Sequence, residues 1–124
     1  MNNSSPIYFR PRRLSYAEKC CVREIVKGLV KDGIIRPSCS EYASPIVLVK
    51  KKNGEIRMCV DFREINKITK RDNFPLPLIE DCVDFFANKK IFTVLDLKSG
   101  FHHVRVNEES VKYTSFVTPE GQWE

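Results

Sequence analysis

The chain lacks several features that define common classes of protein. Its five cysteines contain no C-x-x-C pair, and the odd number has no metal-ligand spacing, which argues against both a disulfide framework and a zinc site. Reduced thiols in an intracellular compartment are the simplest explanation. We expect no secretory leader, and no apolar stretch approaches the ~20 residues needed to cross a bilayer. We therefore expect an intracellular protein with no membrane partner.

The sequence also has few of the aspartate and histidine groupings that commonly bind metal ions. The sequence has no Asp-Asp dipeptide, and Asp96 is its last aspartate. The only two histidines are the neighbours His102 and His103. Adjacent residues of a strand point to opposite faces, so we assign no metal to this pair.

Basic residues, in contrast, are concentrated in one segment. Between Val49 and Asp72, eight basic residues stand against four acidic ones, so that segment carries most of the net charge of +5. Such clustering favours a polyanionic partner. A solvated basic face is the alternative, and charge alone does not separate the two.

The first half of the chain predicts one helix and one hairpin. Ser15, followed three residues later by Glu18, is typical of a capping box, and Gly33 occupies the position of a left-handed helix end. Asn53-Gly54 between two apolar runs predicts a hairpin with a two-residue turn. In that register Lys50 lies opposite Arg57. Like charges in direct opposition destabilise a sheet, so either an anion binds between them or both side chains extend into water.

The second half predicts a short helix after Pro77 and a strand over Ile91–Leu97. Asp96 is the one carboxylate in that apolar strand. A charge buried there costs several kcal/mol unless it is paired or holds a metal, and a hard divalent cation is the leading candidate. The alternative is a structural cap on the turn that follows.

Five blocks of sequence carry a resemblance to a known family. Their order and spacing are similar to those of the reverse transcriptase of gypsy-type long-terminal-repeat retrotransposons and, more distantly, of retrovirus-like Pol polyproteins. The blocks are Asp32–Ser38, Tyr42–Lys52, Arg57–Lys67, Phe74–Pro77 and Leu95–His102.

The resemblance implies an α+β fold, namely the fingers subdomain and the first palm strands of a right-hand polymerase. Residues 1–13 would form an amino-terminal arm, residues 14–90 the fingers, and residues 91–124 an incomplete start of the palm. It also implies RNA-directed DNA polymerase activity by two-metal nucleotidyl transfer in the full-length protein. The implied partners are an RNA or DNA template-primer, a dNTP and the rest of the Pol polyprotein. The expected location is the cytoplasm, a virus-like particle or the nucleus.

The resemblance also implies roles for individual residues. Asp96 aligns with a catalytic carboxylate that binds Mg²⁺, and Phe101 aligns with the aromatic steric gate that selects deoxynucleotides. Triphosphate binding would fall to Arg57 together with Lys50 or Lys51, between which the alignment does not decide. The template contacts would be Asp61, Arg63 and Asn66, although Asp61 and Arg63 are equally suited to a structural ion pair.

One departure from the family limits what the chain is expected to do by itself. The family's polymerases carry a later Tyr/Phe-x-Asp-Asp hairpin, and this sequence has no such motif. One carboxylate is too few for two Mg²⁺ ions. We therefore expect the chain to be the amino-terminal part of a polymerase and to be inactive in isolation. It would be a fragment, a truncated gene model or a decayed element copy. The alternative is a non-catalytic module that binds nucleic acid.

Overall fold

The structure, a computed structural model, describes residues 5–124. The first four residues of the predicted arm lie outside this range. The described chain forms two compact units, of which one contains the residues up to Thr69 together with Arg105–Glu124, and the other is Lys70–Val104. This division follows compactness, and the subdomain boundary expected at residues 90/91 stays a prediction.

The first unit contains the predicted amino-terminal helix. Helix α1 spans Tyr16–Lys31, and the capping box forms as predicted, because the Ser15 side chain accepts from the Glu18 backbone N–H while Glu18 accepts from the Ser15 backbone N–H at 2.8 Å. Gly33 has φ +68°, and the next N–H donates to the Leu29 carbonyl at 2.9 Å. Both ends of α1 are therefore fixed by local sequence.

A four-stranded sheet packs against α1. Its strands are β1 (Ser44–Lys50), β2 (Ile56–Val60), β3 (Phe116–Thr118) and β4 (Gly121–Trp123), in the order β2-β1-β3-β4. Strands β1 and β3 are parallel and the other neighbours are antiparallel. The core consists of Val22 and Val26 from α1, Ile46 from β1 and Phe116 from β3. Its members come from both ends of the chain, so the first unit is not complete without β3.

Two further segments attach to this sheet. Tyr8 forms a parallel bridge with Ala43, so the described part of the arm is tied to the residue that precedes β1. Arg36 and Glu124 exchange two backbone hydrogen bonds of 2.9 Å. The Gln122 side chain donates to the backbone carbonyls of Ser40 and Tyr42, which joins β4 to the loop before β1.

The hairpin between β1 and β2 forms, but the predicted register is wrong by one residue. Arg57 lies opposite Val49, and Lys50 lies opposite Ile56. The loop has three residues, closed by a hydrogen bond of 2.8 Å from the Lys51 N–H to the Glu55 carbonyl. Gly54 has φ +84°, which fits a type I turn followed by a left-handed residue. The Asn-Gly pair predicted the hairpin correctly and the loop length incorrectly.

The remaining helices are short. They are α2 (Arg63–Ile68), α3 (Ile79–Asp84), α4 (Glu108–Val111), and 3-10 turns at Gly100–His103 and Lys112–Thr114. The helix predicted after Pro77 is confirmed as α3. With helices beside a mixed sheet, the observed class is α+β, as expected.

The strand predicted over Ile91–Leu97 is not formed. These residues have no regular secondary structure and are exposed, with Val94 90% and Leu95 86% accessible. A strand requires a neighbour to receive its backbone hydrogen bonds. Apolar content alone predicted a strand that has no pairing partner among residues 5–124.

Candidate functional site

The hairpin tip sorts its basic side chains onto two faces. Lys50 shares its face with Ile46 and Leu48, which pack on the core below α1. The pKa of Glu18 in α1 is lowered mainly by hydrogen bonds from Ser15 and, to a smaller extent, by the charge of Lys50. The contribution of Lys50 is consistent with its placement near α1. Lys50 therefore lies on the helix side of the hairpin.

Lys51 and Arg57 lie on the other face. Arg57 is directly opposite Val49. Lys51 comes directly after β1, and its backbone hydrogen bond to Glu55 extends the pairing by one residue, so alternation gives Lys51 the same face as Val49 and Arg57. Lys51 is opposite Glu55 across the turn, which makes Lys51 and Arg57 diagonal neighbours, about 7–8 Å apart by sheet geometry. Both side chains are exposed, and both are long enough to reach one anion.

Glu55 is the counter-ion of Lys51. Its Oε2 accepts from Lys51 Nζ at 2.9 Å, and its backbone N–H donates to the Asn53 side chain at 3.2 Å. Hydrogen bonds from Lys51 and Asn53 lower the pKa of Glu55. A two-residue turn at Asn53-Gly54 would place Lys52 opposite Glu55, and the observed three-residue loop gives that contact to Lys51.

A second cluster surrounds Asp61 at the end of β2. Arg63 donates to both carboxylate oxygens of Asp61, at 2.8 and 2.6 Å, and Arg12 from the arm lies 3.9 Å away. The hydrogen bonds of Arg63 lower the pKa of Asp61 to about 2. The structural ion pair that the sequence left open is therefore present. It restrains Arg63 beside a cavity of about 110 Å³, whose other lining residues are Phe9, Arg12, Pro45 and Glu64.

Asn66 lies on the exposed side of α2. Its backbone N–H donates to the Phe62 carbonyl at 2.8 Å, and its side chain is exposed. Asp61, Arg63 and Asn66 thus fall within one strand end and the helix that follows it, so the structure groups the three residues of the predicted template contact.

Asp96 and Phe101 belong to the second compact unit. Asp96 is exposed, and it does not lie in a strand. The desolvation argument that called for a cation at Asp96 therefore does not hold, because an exposed carboxylate is hydrated. Phe101 is 90% exposed on the 3-10 turn, which excludes core packing as its role in this structure.

Comparison with known proteins decides the family. Residues 49–124 match the family model described as reverse transcriptase (RNA-dependent DNA polymerase). The chain belongs to the reverse transcriptase family.

Pol polyproteins of transposons are similar to the chain over nearly its whole length. From Drosophila melanogaster, the retrovirus-related Pol polyproteins of transposons 412, opus and gypsy are 37%, 41% and 38% identical and align with 98–99% of the chain. The chain covers 10–13% of the length of those relatives. It is therefore similar to the reverse transcriptase part of retrotransposon Pol polyproteins.

Solved reverse transcriptases share the fold. A foamy virus protease-reverse transcriptase is 26% identical with a TM-score of 0.76, covering 98% of this chain and 16% of that one. A foamy viral protease-reverse transcriptase in complex with dsDNA has a TM-score of 0.74 at 20% identity, with coverage of 99% and 25%. The second likeness shows the fold alone.

Metal binding is the point at which the described residues fall short of the family. Reverse transcriptases use a divalent metal ion. In residues 5–124 no group of three or more His, Cys, Asp or Glu side chains converges to hold one. A hard divalent cation needs about six oxygen ligands, and Asp96 supplies one carboxylate. Residues 5–124 of this reverse transcriptase chain therefore do not form a metal site without further ligands.

Sequence reasoning missed three contributors to these clusters. Arg12 and Phe9 reach the Asp61 cavity from the arm, and nothing in local sequence connects position 12 with position 61. Glu55 was assigned to the wrong lysine because the loop was counted one residue too short. Two features distinguish the registers. A two-residue Asn-Gly turn of type I′ requires positive φ at both residues, whereas Asn53 does not have positive φ, and the Gly54 N–H donates to the Lys51 carbonyl at 3.0 Å.

Within the described residues, no helix is both long enough and apolar enough to cross a bilayer.

Proposed function

We propose that this chain provides the fingers and the beginning of the palm of an RNA-directed DNA polymerase. Synthesis of DNA belongs, in this proposal, to the longer Pol polyprotein, in the cytoplasm, a virus-like particle or the nucleus. The family match and the relatives among transposon polyproteins support it. The observation that carries the nucleotide-binding part is the shared face of Lys51 and Arg57 at the hairpin tip.

The hairpin contacts the triphosphate of the incoming dNTP. A guanidinium presents a planar fork of donors and an ammonium a compact point charge, and the two together suit a polyphosphate. Of the two candidate lysines, Lys51 is the one that the register places beside Arg57, whereas Lys50 lies on the opposite face. We therefore assign the triphosphate contact to Lys51 and Arg57, with Lys50 contributing only long-range attraction.

The Asp61 cluster contacts the template. Asp61 holds Arg63 in one orientation through two hydrogen bonds, and Asn66 is exposed one turn further along α2. A restrained guanidinium loses less conformational freedom when it binds a phosphate. A foamy viral relative was solved with dsDNA, which supports a nucleic acid partner for this surface.

Asp96 and Phe101 act at the reaction centre of the longer protein. Asp96 is proposed as one of several carboxylates for Mg²⁺, and the missing ligands must come from outside the described residues. Bound divalent ions stabilise the charge that develops during phosphoryl transfer. Phe101, being exposed on a tight turn, is proposed to lie against the sugar and exclude a 2′-hydroxyl.

Primer extension by the longer protein tests this proposal. The chain is expressed together with the downstream segment of its own polyprotein and given a DNA primer on an RNA template with dNTPs. Asp96→Asn should abolish extension, whereas Asp84→Asn on α3, an exposed aspartate with no assigned role, should leave it unchanged. Extension that survives Asp96→Asn would contradict the catalytic assignment.

Nucleic acid binding by the chain alone is the second candidate function. The basic cluster between Val49 and Asp72 supports it. Affinity from phosphate contacts rises steeply as salt falls, so a labelled RNA–DNA hybrid should bind more tightly at about 50 mM than at about 200 mM salt. Replacing Lys50, Lys51 and Arg57 by alanine should weaken this binding. No binding at low salt would remove the candidate.

A further inference from the structure

The hairpin tip carries one acidic side chain among its basic ones. Glu55 is the only carboxylate between Ala43 and Val60, a stretch that holds three consecutive lysines and Arg57. It is bonded to Lys51 at 2.9 Å, the same lysine that the register places on the face of Arg57. The charge available to an anion on this face is therefore reduced by a residue built into the turn.

The turn geometry fixes this contact. Lys51 and Glu55 are joined by a backbone hydrogen bond of 2.8 Å, and Gly54 adopts the left-handed conformation that a three-residue loop requires. The Asn53 side chain accepts from the Glu55 N–H. Lys51 and Glu55 thus remain neighbours whether or not their side chains are bonded, because the backbone holds them opposite each other.

We propose that Glu55 is an internal counter-ion that competes with a polyphosphate for Lys51, and so limits how tightly the hairpin binds a triphosphate. The proposal rests on the proposed function, since it assumes that Lys51 and Arg57 bind the triphosphate. When the anion binds, Lys51 exchanges the Glu55 carboxylate for a phosphate oxygen. Glu55 then remains beside the anion as a like charge, two residues from Arg57 on the same face.

The lowered pKa of the Glu55 carboxyl group supports the counter-ion role. Lys51 is the first cause of the lowered pKa of Glu55, so transfer of Lys51 to a phosphate raises that pKa again. Triphosphate binding should therefore be linked to proton uptake at Glu55. Protonation of Glu55 also removes the competing charge, and affinity should increase as the pH falls through the titration of this carboxyl group.

Titration of the full chain with inorganic tripolyphosphate tests the proposal. The variant is Glu55→Gln, which keeps the size of the side chain and removes its charge. The matched control is Glu24→Gln, because Glu24 forms an exposed pair with Lys27 at 3.1 Å on α1 and changes net charge equally. At about 0.1 M salt, where exposed charges are screened over about 10 Å, we expect Glu55→Gln to bind about 3- to 10-fold more tightly and Glu24→Gln to change affinity less than about 2-fold.

Two further variants separate this inference from the proposed function. Lys51→Gln and Arg57→Gln should each weaken tripolyphosphate binding. If they do so while Glu55→Gln behaves like Glu24→Gln, the triphosphate site stands and the counter-ion role of Glu55 is overturned. If neither weakens binding, or if no protein binds the probe, the triphosphate site fails and the counter-ion role fails with it.

Nuclear magnetic resonance provides a readout that a structural role would not change. The Glu55 side-chain carboxyl signal, followed through an acid titration, should show a higher pKa in the presence of saturating tripolyphosphate than without it. The Glu24 signal serves as the internal reference. An unchanged Glu55 titration under saturating probe would overturn the proposal.

Discussion

Arg57 lies opposite Val49, not opposite Lys50, in the antiparallel ladder of β1 and β2. That single register assigns Lys51 and Arg57 to one face of the hairpin and Lys50 to the other. The triphosphate contact, the counter-ion role of Glu55 and the choice between two lysines all follow from it. The loop that sets the register is therefore the first feature to test.

Substitution of Gly54 tests the left-handed conformation at the end of the loop. Gly54 has φ +84°, a conformation that costs a residue with a side chain about 1–2 kcal/mol, so Gly54→Ala should lower the free energy of unfolding by about 1 kcal/mol. Gly28 is the control, because it lies within α1 and a Cβ added there would meet no atom within 4 Å apart from the helix's own backbone. Gly28→Ala should raise the free energy of unfolding by about 0.5–1 kcal/mol. Urea denaturation measures both, and equal effects of the two substitutions would contradict the turn assignment.

Two phenylalanines test where the core lies. Phe116 is 4% exposed and part of the core, whereas Phe101 is 90% exposed. Phe116→Ala should lower the free energy of unfolding by about 3–5 kcal/mol because it leaves a cavity. Phe101→Ala should change it by less than about 0.5 kcal/mol. Chemical denaturation followed by circular dichroism checks both. A large loss of stability in Phe101→Ala would show that its ring is packed.

Those elements that depend on neighbouring residues were predictable from the sequence. The α1 helix, its capping box at Ser15 and Glu18, and the left-handed Gly33 were all expected from spacing and are present. The existence of the β1–β2 hairpin was also expected. In each case the residues that determine the structure lie within a few positions of one another.

Contacts distant in sequence were not predictable. Arg12 in the arm pairs with Asp61, and the Gln122 side chain donates a hydrogen bond to the loop before β1. The sequence around each of these residues does not indicate which distant residue it contacts. The strand expected over residues 91–97 failed for a related reason, since apolar content does not reveal whether a partner strand is available. The roles of Asp96 and Phe101 came from family resemblance, and neither exposed side chain shows a role by its own contacts.

The Asp61 cluster predicts a specific acid response. Hydrogen bonds from Arg63 lower the pKa of Asp61 from 3.8 to about 2. A carboxyl group with a lowered folded-state pKa stabilises the fold above its unfolded pKa, and that contribution is lost as the pH falls through the folded value. The pH-dependent part of the stability difference between the wild type and Asp61→Asn should therefore be fully present well above pH 3.8, decrease as the pH falls from there, and be lost below about 2.

Arg63→Gln tests whether Arg63 causes the lowered pKa of Asp61. The Asp61 carboxyl pKa, measured by carbon NMR, should rise toward 3.8 in this variant. Lys67→Gln on the same helix is the control, since Lys67 pairs with Glu64 instead. An Asp61 pKa that stays near 2 without Arg63 would assign the shift to another group.

Sugar selection tests Phe101 in the longer protein. Phe101→Ala should leave dNTP incorporation measurable and increase the relative use of rNTPs, because removal of the ring makes room for a 2′-hydroxyl. Phe92→Ala is the control, being an aromatic residue in the same unit whose ring contacts Phe86. Primer extension with each nucleotide set gives the ratio of kcat/KM values. The same ratio in Phe101→Ala and the wild type would refute the steric gate.

The most direct test of the account compares Lys51→Gln with Lys50→Gln, two adjacent substitutions with the same change in charge. Binding of inorganic tripolyphosphate to the full chain is measured by calorimetry at about 0.15 M salt, where charges more than about 8 Å apart are largely screened. Lys51→Gln should weaken binding by about 5- to 20-fold, on the order of 1–2 kcal/mol, because it removes a charge-assisted hydrogen bond, and Lys50→Gln should weaken it by less than about 2-fold. An equal or larger loss in Lys50→Gln would contradict the shared face of Lys51 and Arg57.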